Sequence, residues 1–405
     1  MVKAIINDNM PGAAVASALG AHEFGGDIYM VAIGKAAWTM AEASCSFLGA
    51  RLKKGIVITK YGHSGGGLPG CDVYEAGHPV ADENTIAATA KAVGLVSGLG
   101  HGDEVLFLVS GGGSALFEKP LDGIGLEDIA GVTGALLASG ADIVEMNMVR
   151  KRLSAVKAGR FAQMAAPAKM LCIILSDVLG DRLDSIASGP AVPDMSTAED
   201  AAKVVRKYGL HLTELQREYL ARETPKEIGN AKIAITGSVR TLCESAAKAA
   251  RQMGYAPYVL STTVNCEARE AGRFLAQIAA DTRAGRNSFA APCAIIAGGE
   301  TVVTLKGKGK GGRNQEIALA AAAGISGLES TLVFSLGSDG TDGPTDAAGG
   351  MACGGTLAKL KAAGIDPDDA LADNDSYNAL KAVDGLIVTG PTGTNVNDVA
   401  VILCG

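Results

Sequence analysis

Apolar runs of strand length alternate along this chain with Ala-rich segments of helical length. "DIYMVAIG" leads into "KAAWTMAEASCSFL", "GIVITK" ends at "YGHSGGGLPG", and "CDVYEAG" ends at "HPVADEN". "DEVLFLVSGGGSA" and "KMLCIILSDVLGD" repeat the same order. The runs are continuously apolar, which implies strands buried on both faces and therefore a mostly parallel sheet with helices on each side. "ADENTIAATAKAVGLVSGL" reads as a capped helix. A polar, helix-type stretch covers residues 197–227, after which strand–loop–helix units resume with "AKIAITGSVRTLCESAAKAARQMG". The pattern predicts two α/β domains, residues 1–228 and 229–405, with no short-period repeat and no low-complexity linker.

Composition narrows the function classes. The chain has 405 residues, 48% of them hydrophobic and 20% charged, which suits folded cores. Its net charge of -7 and its 4% aromatic content argue against a nucleic-acid partner, which favours basic faces and stacking platforms. They do not argue against a small anionic substrate. Glycine is in excess, with 54 residues where average usage gives about 28. These glycines cluster at the ends of apolar runs, where α/β folds place ligand-binding loops. The eight cysteines form no C-x-x-C pair and read as free thiols of a cytoplasmic protein. No signal-type start and no membrane-length apolar segment is expected.

The loops that follow the strands carry the chemistry. Ser110, Gly111, Gly112, Gly113 and Ser114 close a buried strand with a turn whose amides can cradle phosphate. The bland alternative is a tight strand–helix turn. No P-loop occurs, and Gly111, Gly113 and Leu116 fail the dinucleotide fingerprint at its third position, so a nicotinamide enzyme is poorly supported. Lys35 sits on a Gly turn after a strand, either a solvated lysine or a cation facing a phosphoryl group. "NMVRKRLSAVKAGRFA" gathers Arg150, Lys151, Arg152, Lys157 and Arg160 into a local positive patch, with Lys157 in a candidate anion contact. Asp177 stands at a strand end, with Asp181 and Asp184 after it, where a carboxylate can hold Mg²⁺ or cap a helix. Arg313 opens a helix after a Gly/Lys-rich loop, and its planar fork matches a carboxylate or phosphate.

"SLGSDGTDGPTDAAGG" places Asp339, Asp342 and Asp346 among glycines straight after the apolar run "TLVFSL". Carboxylates so close repel one another unless something positive lies between them. Either the loop is a solvated turn, or it grips a cation or a phosphate. Asp346 is expected to cap a following helix. "TGPTGTNVNDVAV" offers Thr389, Thr392, Thr394, Asn395, Asn397 and Asp398, more hydrogen-bonding capacity than a connecting turn needs. His78 lies in a plausible site loop. No zinc-protease or nucleophile-elbow motif is present.

In order, "GKAAWTMAEA", "GHPVADEN", "SGGGSAL", "VRKRLSAVKAGRFA", "SDVLGDRLDSIASGP", "GGRNQE", "SDGTDGPTDAAG" and "TGPTGTNVND" resemble the glycerate 2-kinase family whose C-terminal half is the MOFRL domain. The resemblance covers nearly the whole chain. It implies ATP- and Mg²⁺-dependent phosphorylation of the 2-hydroxyl of D-glycerate. It also implies two three-layer α/β domains, the first Rossmann-like, with the active site in the interdomain cleft. The family's proposed catalytic lysine falls on Lys35 and its catalytic arginine on Arg313. Cofactor contacts are expected at residues 110–114, Lys157 and Asn395, and metal contacts at Asp177 and Asp339. Asp339 and Asp342 are expected to be catalytic and to face the cleft, one near Mg²⁺ and one near the acceptor hydroxyl as base or orienting group. Departures such as "KAGR" and "SDGTDG" preserve the charged groups. Some family members have been described as hydroxypyruvate reductases, so an NAD(P)H-dependent reductase is the alternative; a phosphometabolite sensor is another. A homodimer is the base-rate expectation, with no nucleic-acid or membrane partner.

Overall fold

The structure is a computed structural model that describes residues 1–176 and 186–405. The chain divides into two compact units, one of Pro11–Thr236 and one of Met1–Met10 with Gly237–Gly405. Asp177, Asp181 and Asp184 lie outside the described residues.

The first unit is built on β1 (Asp27–Ile33), β2 (Leu52–Lys60), β3 (Cys71–Ala76), β4 (Asp103–Val109), β5 (Lys169–Leu175) and β6 (Ala231–Gly237). They form one sheet in the order β3-β2-β1-β4-β5-β6. The pairs β2/β3, β1/β2, β1/β4 and β4/β5 are all parallel, as the continuous apolar runs imply. Along β4, Val105, Phe107 and Val109 face a core completed by Ala88, Ala92, Phe161 and Ala165. Phe107, Phe117 and Phe161 pack ring against ring, with centroids 4.9 to 5.8 Å apart. Leu106 and Leu108 point the other way and are equally buried, as period-two alternation requires.

The expected capped helix is Glu83–Val96. Asp82 Oδ1 accepts from the Thr85 amide at 2.9 Å, and Thr85 Oγ1 accepts from the Asp82 amide at 3.2 Å, so two orphan donors are satisfied reciprocally. The polar stretch at 197–227 folds into helices Ala198–Tyr208 and Glu214–Leu220, started by Thr197 and Thr213. Their apolar sides pack with helices Leu126–Ala138 and Ile143–Leu153 in a separate cluster around Leu136, Val149, Leu153 and Val204.

β6 belongs to the first sheet, so the division falls beyond the expected point near 228. The Met170 amide donates to Asn230 O at 2.7 Å, and Thr236 Oγ1 donates to Ile174 O at 3.3 Å. The helix Val2–Asp8 goes with the second unit. Asn9 just after it donates to Ser245 Oγ at 3.0 Å, and its carbonyl accepts from Thr394 Oγ1 at 2.8 Å.

The second unit holds β7 (Ala256–Val264), β8 (Cys293–Gly299), β9 (Thr331–Gly337), β10 (Gly349–Cys353), β11 (Leu386–Ile387) and β12 (Asp398–Cys404), in the order β11-β10-β9-β12-β8-β7. Here the parallel expectation gives way. Only β7/β8 is parallel among the described pairs; β12 runs antiparallel to both β8 and β9, and β10 antiparallel to β9 and β11. Continuous apolarity reports burial on two faces, not direction, and β8, β9 and β12 are buried on both. Ile295 and Ala297 face the helices Ala268–Arg283 and Arg313–Gly324. Gly298, the next residue along β8, faces the other way, toward Val239 and Cys243 of the helix Val239–Gln252. Among the described residues no helix is long and apolar enough to cross a membrane.

Candidate functional site

In the first unit, two loops at the carboxyl ends of β1 and β4 are tied together. The Lys35 amide donates to Gly111 O at 2.8 Å, and the Ala36 amide donates to Ser110 Oγ at 3.0 Å. Gly34 has φ +111, and a Cβ there would overlap the Ser110 hydroxyl and carbonyl, so only glycine permits this approach. Ser110 also donates to Ile33 O at 3.2 Å and is buried. Its hydroxyl is spent on the tie, so Ser110 departs from its expected cofactor contact. The amides of Gly111 and Gly112 have no acceptor among the described residues.

Gly112 has φ +86, and a Cβ there would lie 3.0 Å from the His78 ring and 3.2 Å from Lys35 Cγ. The missing side chain leaves room for both. Lys35 is half-buried, and its carbonyl accepts from Thr59 Oγ1 at 3.4 Å and pairs with His63 Nδ1 at 3.3 Å. Burial first, then the Lys35, Lys60 and His63 cations, hold the His78 imidazole below its ordinary pKa.

Lys157 is not at the surface of this loop but beneath it. It is wholly buried, and its Nζ donates to Ser114 O at 2.7 Å and pairs with Glu118 Oε2 at 2.7 Å. With Ser114 Oγ 3.2 Å from Ser188 Oγ, and Ser188 donating to Asn147 Oδ1 at 3.1 Å, it braces the turn from behind. The expected anion contact at Lys157 is therefore corrected to a structural support. Arg152 is likewise spent inward, on Ser196 O at 2.9 Å and Thr224 Oγ1 at 3.3 Å. The basic patch is largely an internal brace.

In the second unit, Arg313 begins the helix Arg313–Gly324. Its Nε lies 2.6 Å from Asp398 Oδ2 and its Nη2 donates to Asp398 Oδ1 at 3.2 Å, a two-pronged pair. Nη1 donates to Glu300 Oε1 at 2.9 Å. Asp398 opens β12 between Gly337 and Gly299, and burial pushes its carboxyl up to about 7 in spite of Arg313. A Cβ at Gly337 would lie 3.0 Å from Thr341 O and 3.4 Å from both Asp339 Oδ1 and Asp398 Oδ1, so both carboxylates border this glycine.

The aspartates of the opening loop have separate fates. Asp342 is 3% exposed, and its Oδ1 accepts from the amide and side chain of Asn314 at 3.1 and 3.3 Å. Its Oδ2 accepts from the amide and side chain of Gln315 at 2.8 and 3.0 Å. Both oxygens cap the helix that carries Arg313, so Asp342 departs from the expected place facing the reactants. Burial still holds its carboxyl above the ordinary range. Asp339 is half-buried; its Oδ1 accepts from the Thr341 amide at 2.9 Å, and its other oxygen has no partner among the described residues. Asp346 caps no helix: it accepts from Tyr377 Oη at 2.7 Å, and β10 follows it.

The 389–397 loop supports Asp339. Thr392 donates from its amide to Asp339 O at 3.1 Å and from its hydroxyl to Ser338 O at 2.6 Å, while Ser338 Oγ accepts from the Val396 amide at 2.8 Å. Asn395 is half-buried and accepts from the Asn397 amide at 3.4 Å. Sequence reasoning passed over Glu300 and left Asp398 as one of several polar loop residues. The signal for both was a carboxylate at the end of a fully apolar strand, in "AIIAGGE" and "NDVAVILC".

Residues 1–221 match the family described as "Domain of unknown function (DUF4147)", and residues 293–398 match the MOFRL family. A D-glycerate 2-kinase from Thermotoga maritima is 54% identical over 92% of this chain and 90% of its own length. A glycerate 2-kinase from Pyrococcus horikoshii is 42% identical over 94% of this chain and 88% of its own length. The chain belongs to the MOFRL glycerate kinase family. The crystal structure of a glycerate kinase from Thermotoga maritima superposes with a TM-score of 0.97 at 51% identity, covering all of this chain and 97% of the other.

Glu118→Ala leaves the Lys157 ammonium buried without its partner and should lower stability by about 3–5 kcal/mol in urea unfolding. Replacing both residues by Met should recover most of it, and an unchanged midpoint for Glu118→Ala would contradict the brace. By NMR titration, His78 should gain its proton below the ordinary histidine range, and Lys35→Met should raise its midpoint.

Proposed function

We propose that this protein is a kinase that transfers the γ-phosphoryl group of ATP to the 2-hydroxyl of D-glycerate, with Mg²⁺. The observation that carries the reading is the 54% identity, over nearly the whole of both chains, to a relative named D-glycerate 2-kinase. The geometry supplies parts that phosphoryl transfer uses, which are mainly positioning and neutralisation of charge.

Lys35 is the cation for the transferring phosphoryl group, its stem held over Gly112 and its backbone fixed to Gly111. The Gly111 and Gly112 amides are the phosphate donors of the same loop. Arg313 recognises an anion, the glycerate carboxylate or a phosphoryl oxygen, through Nη1. Glu300 occupies that nitrogen and is the group the anion displaces, while Asp398 keeps the fork oriented.

The open oxygen of Asp339 fits Mg²⁺, which takes oxygen ligands, keeps several waters, and uses only one or two carboxylates alongside substrate phosphates. Asp342, with both oxygens taken, does not fit it. The ion, when bound, neutralises charge on the β- and γ-phosphates. The cytoplasm suits eight free cysteines and an ATP-consuming reaction.

Arg313→Ala should lose about 10²–10³ in kcat/KM, as the removal of a charge-stabilising donor does. Arg313→Lys should recover little, because an ammonium cannot reproduce the fork. Turnover near that of the wild type in a folded Arg313→Ala variant would remove Arg313 from the reaction. The two aspartates should separate cleanly. Asp339→Asn should raise the Mg²⁺ needed for half-maximal rate about 10–100-fold with unfolding unchanged. Asp342→Asn should lower the unfolding midpoint and leave the Mg²⁺ requirement near that of the wild type.

A further inference from the structure

A cavity of about 610 Å³ lies wholly within the second unit, in the size range of small-molecule sites. Its walls are Leu260 and Val264 of β7, and Phe274, Leu275 and Ile278 of the helix Ala268–Arg283. Its floor is made of small residues, Ala297, Gly298 and Gly299 of β8 with Ala400 of β12. The hollow has two causes. On the cavity side the floor carries only the methyl groups of Ala297 and Ala400, and β7 slips register between Val259 and Ser261 and again between Ser261 and Val264, which bends the edge strand off β8. Phe274 and Leu260 remain 65% and 40% exposed at this site although both are apolar.

Five side chains with oxygen line the cavity, and three of them are engaged elsewhere: Ser261 with Thr263, Glu270 with Arg273 and Ser335 with Asn314, which leaves Thr301 and Asp398. Thr301 is 6% exposed, and its hydroxyl is buried with no partner among the described residues. A buried hydroxyl without a hydrogen bond is costly unless a ligand supplies one. Asp398 also lines the cavity, and it is the same carboxylate that holds Arg313. An occupant therefore meets apolar walls for a flat body, a hydroxyl and a carboxyl for a polar edge, and an arginine joined to that carboxyl.

We infer that this cavity seats the heteroaromatic base of the phosphoryl donor, an inference that rests on the kinase reading above. Of the two substrates, only the nucleotide matches it. Glycerate carries oxygen on every carbon and gains nothing from leucine and phenylalanine walls. A purine base buries both ring faces against such walls and presents donors and acceptors around its edge, where Thr301 Oγ1 and the Asp398 carboxyl stand. Its phosphate chain finds a cation in Arg313, which the cavity reaches through Asp398.

Cys266 is exposed and lines the cavity, so it reports occupancy without any turnover. Its alkylation by iodoacetamide is followed by peptide mass spectrometry in the full-length protein, with adenosine as the probe. Adenosine at about four times its dissociation constant should slow alkylation of Cys266 roughly fivefold by mass action and leave Cys353 unchanged. D-Glycerate should protect neither. Ala271→Phe, which fills the cavity, and Thr301→Val, which removes the hydroxyl, should each raise KM for ATP. The increase should be more than about tenfold for Ala271→Phe, with kcat and KM for D-glycerate within about twofold. Thr301→Val serves if the larger side chain prevents folding. Protection of Cys266 by adenosine in a protein that does not phosphorylate glycerate would keep the base site and overturn the kinase reading. Normal ATP turnover, with Cys266 unprotected and KM for ATP unmoved in both variants, would overturn the base site alone. Protection by indole but not by adenosine would also overturn it.

Discussion

The polar site of the second unit depends on one buried carboxylate at the start of a helix. Asp342 receives two backbone amides and two side-chain amides from Asn314 and Gln315, and so settles where the helix Arg313–Gly324 begins. Gly312 has no Cβ because one would overlap Asp342. With that end fixed, Arg313 has little choice of direction, and Asp398 holds its fork from the first residue of β12. Placing a charge this deep is expensive unless it is hydrogen-bonded, and here four amide donors reach the Asp342 carboxyl. A precisely aimed cation needs such a scaffold, since a guanidinium on a free side chain would lose its orientation to rotamer entropy.

The first unit solves a similar problem with backbone. Gly34 and Gly112 let two strand-end loops approach until main-chain hydrogen bonds join them, and the space left at Gly112 is taken by Lys35 and His78. The loop cannot sink into the core because the Lys157–Glu118 pair and Ser114 O fill the space beneath it. One lysine thus stands half-exposed beside the loop, and another supports it from beneath, out of reach of solvent. Sequence alone places both next to glycine-rich turns.

That contrast shows what was legible in the chain and what was not. The strands, the capped helix after Asp82 and the loops bearing Lys35, Arg313 and Asp339 follow from apolar period, capping residues and glycine punctuation, because these are local signals. Strand direction in the second sheet was not readable, since β8, β9 and β12 are buried on both faces whichever way they run. The roles of Asp342, Lys157 and Ser110 were not readable either. Each is a polar residue in a glycine-rich loop, and only tertiary contacts decide whether it turns toward solvent or toward the fold. Asp398 was hidden for the opposite reason: as the first residue of a strand it resembled the end of a loop, yet it organises the arginine.

The most direct test of the account is the identity of the product. Purified protein is incubated with D-glycerate, ATP and Mg²⁺, and the mixture is analysed by phosphorus NMR with proton coupling. The account predicts a phosphomonoester coupled to a single methine proton, the signature of 2-phosphoglycerate, formed in step with ADP. A phosphate coupled to a methylene pair would place transfer at the 3-hydroxyl, and ADP without any phosphoglycerate would remove glycerate as the acceptor; either result contradicts the account.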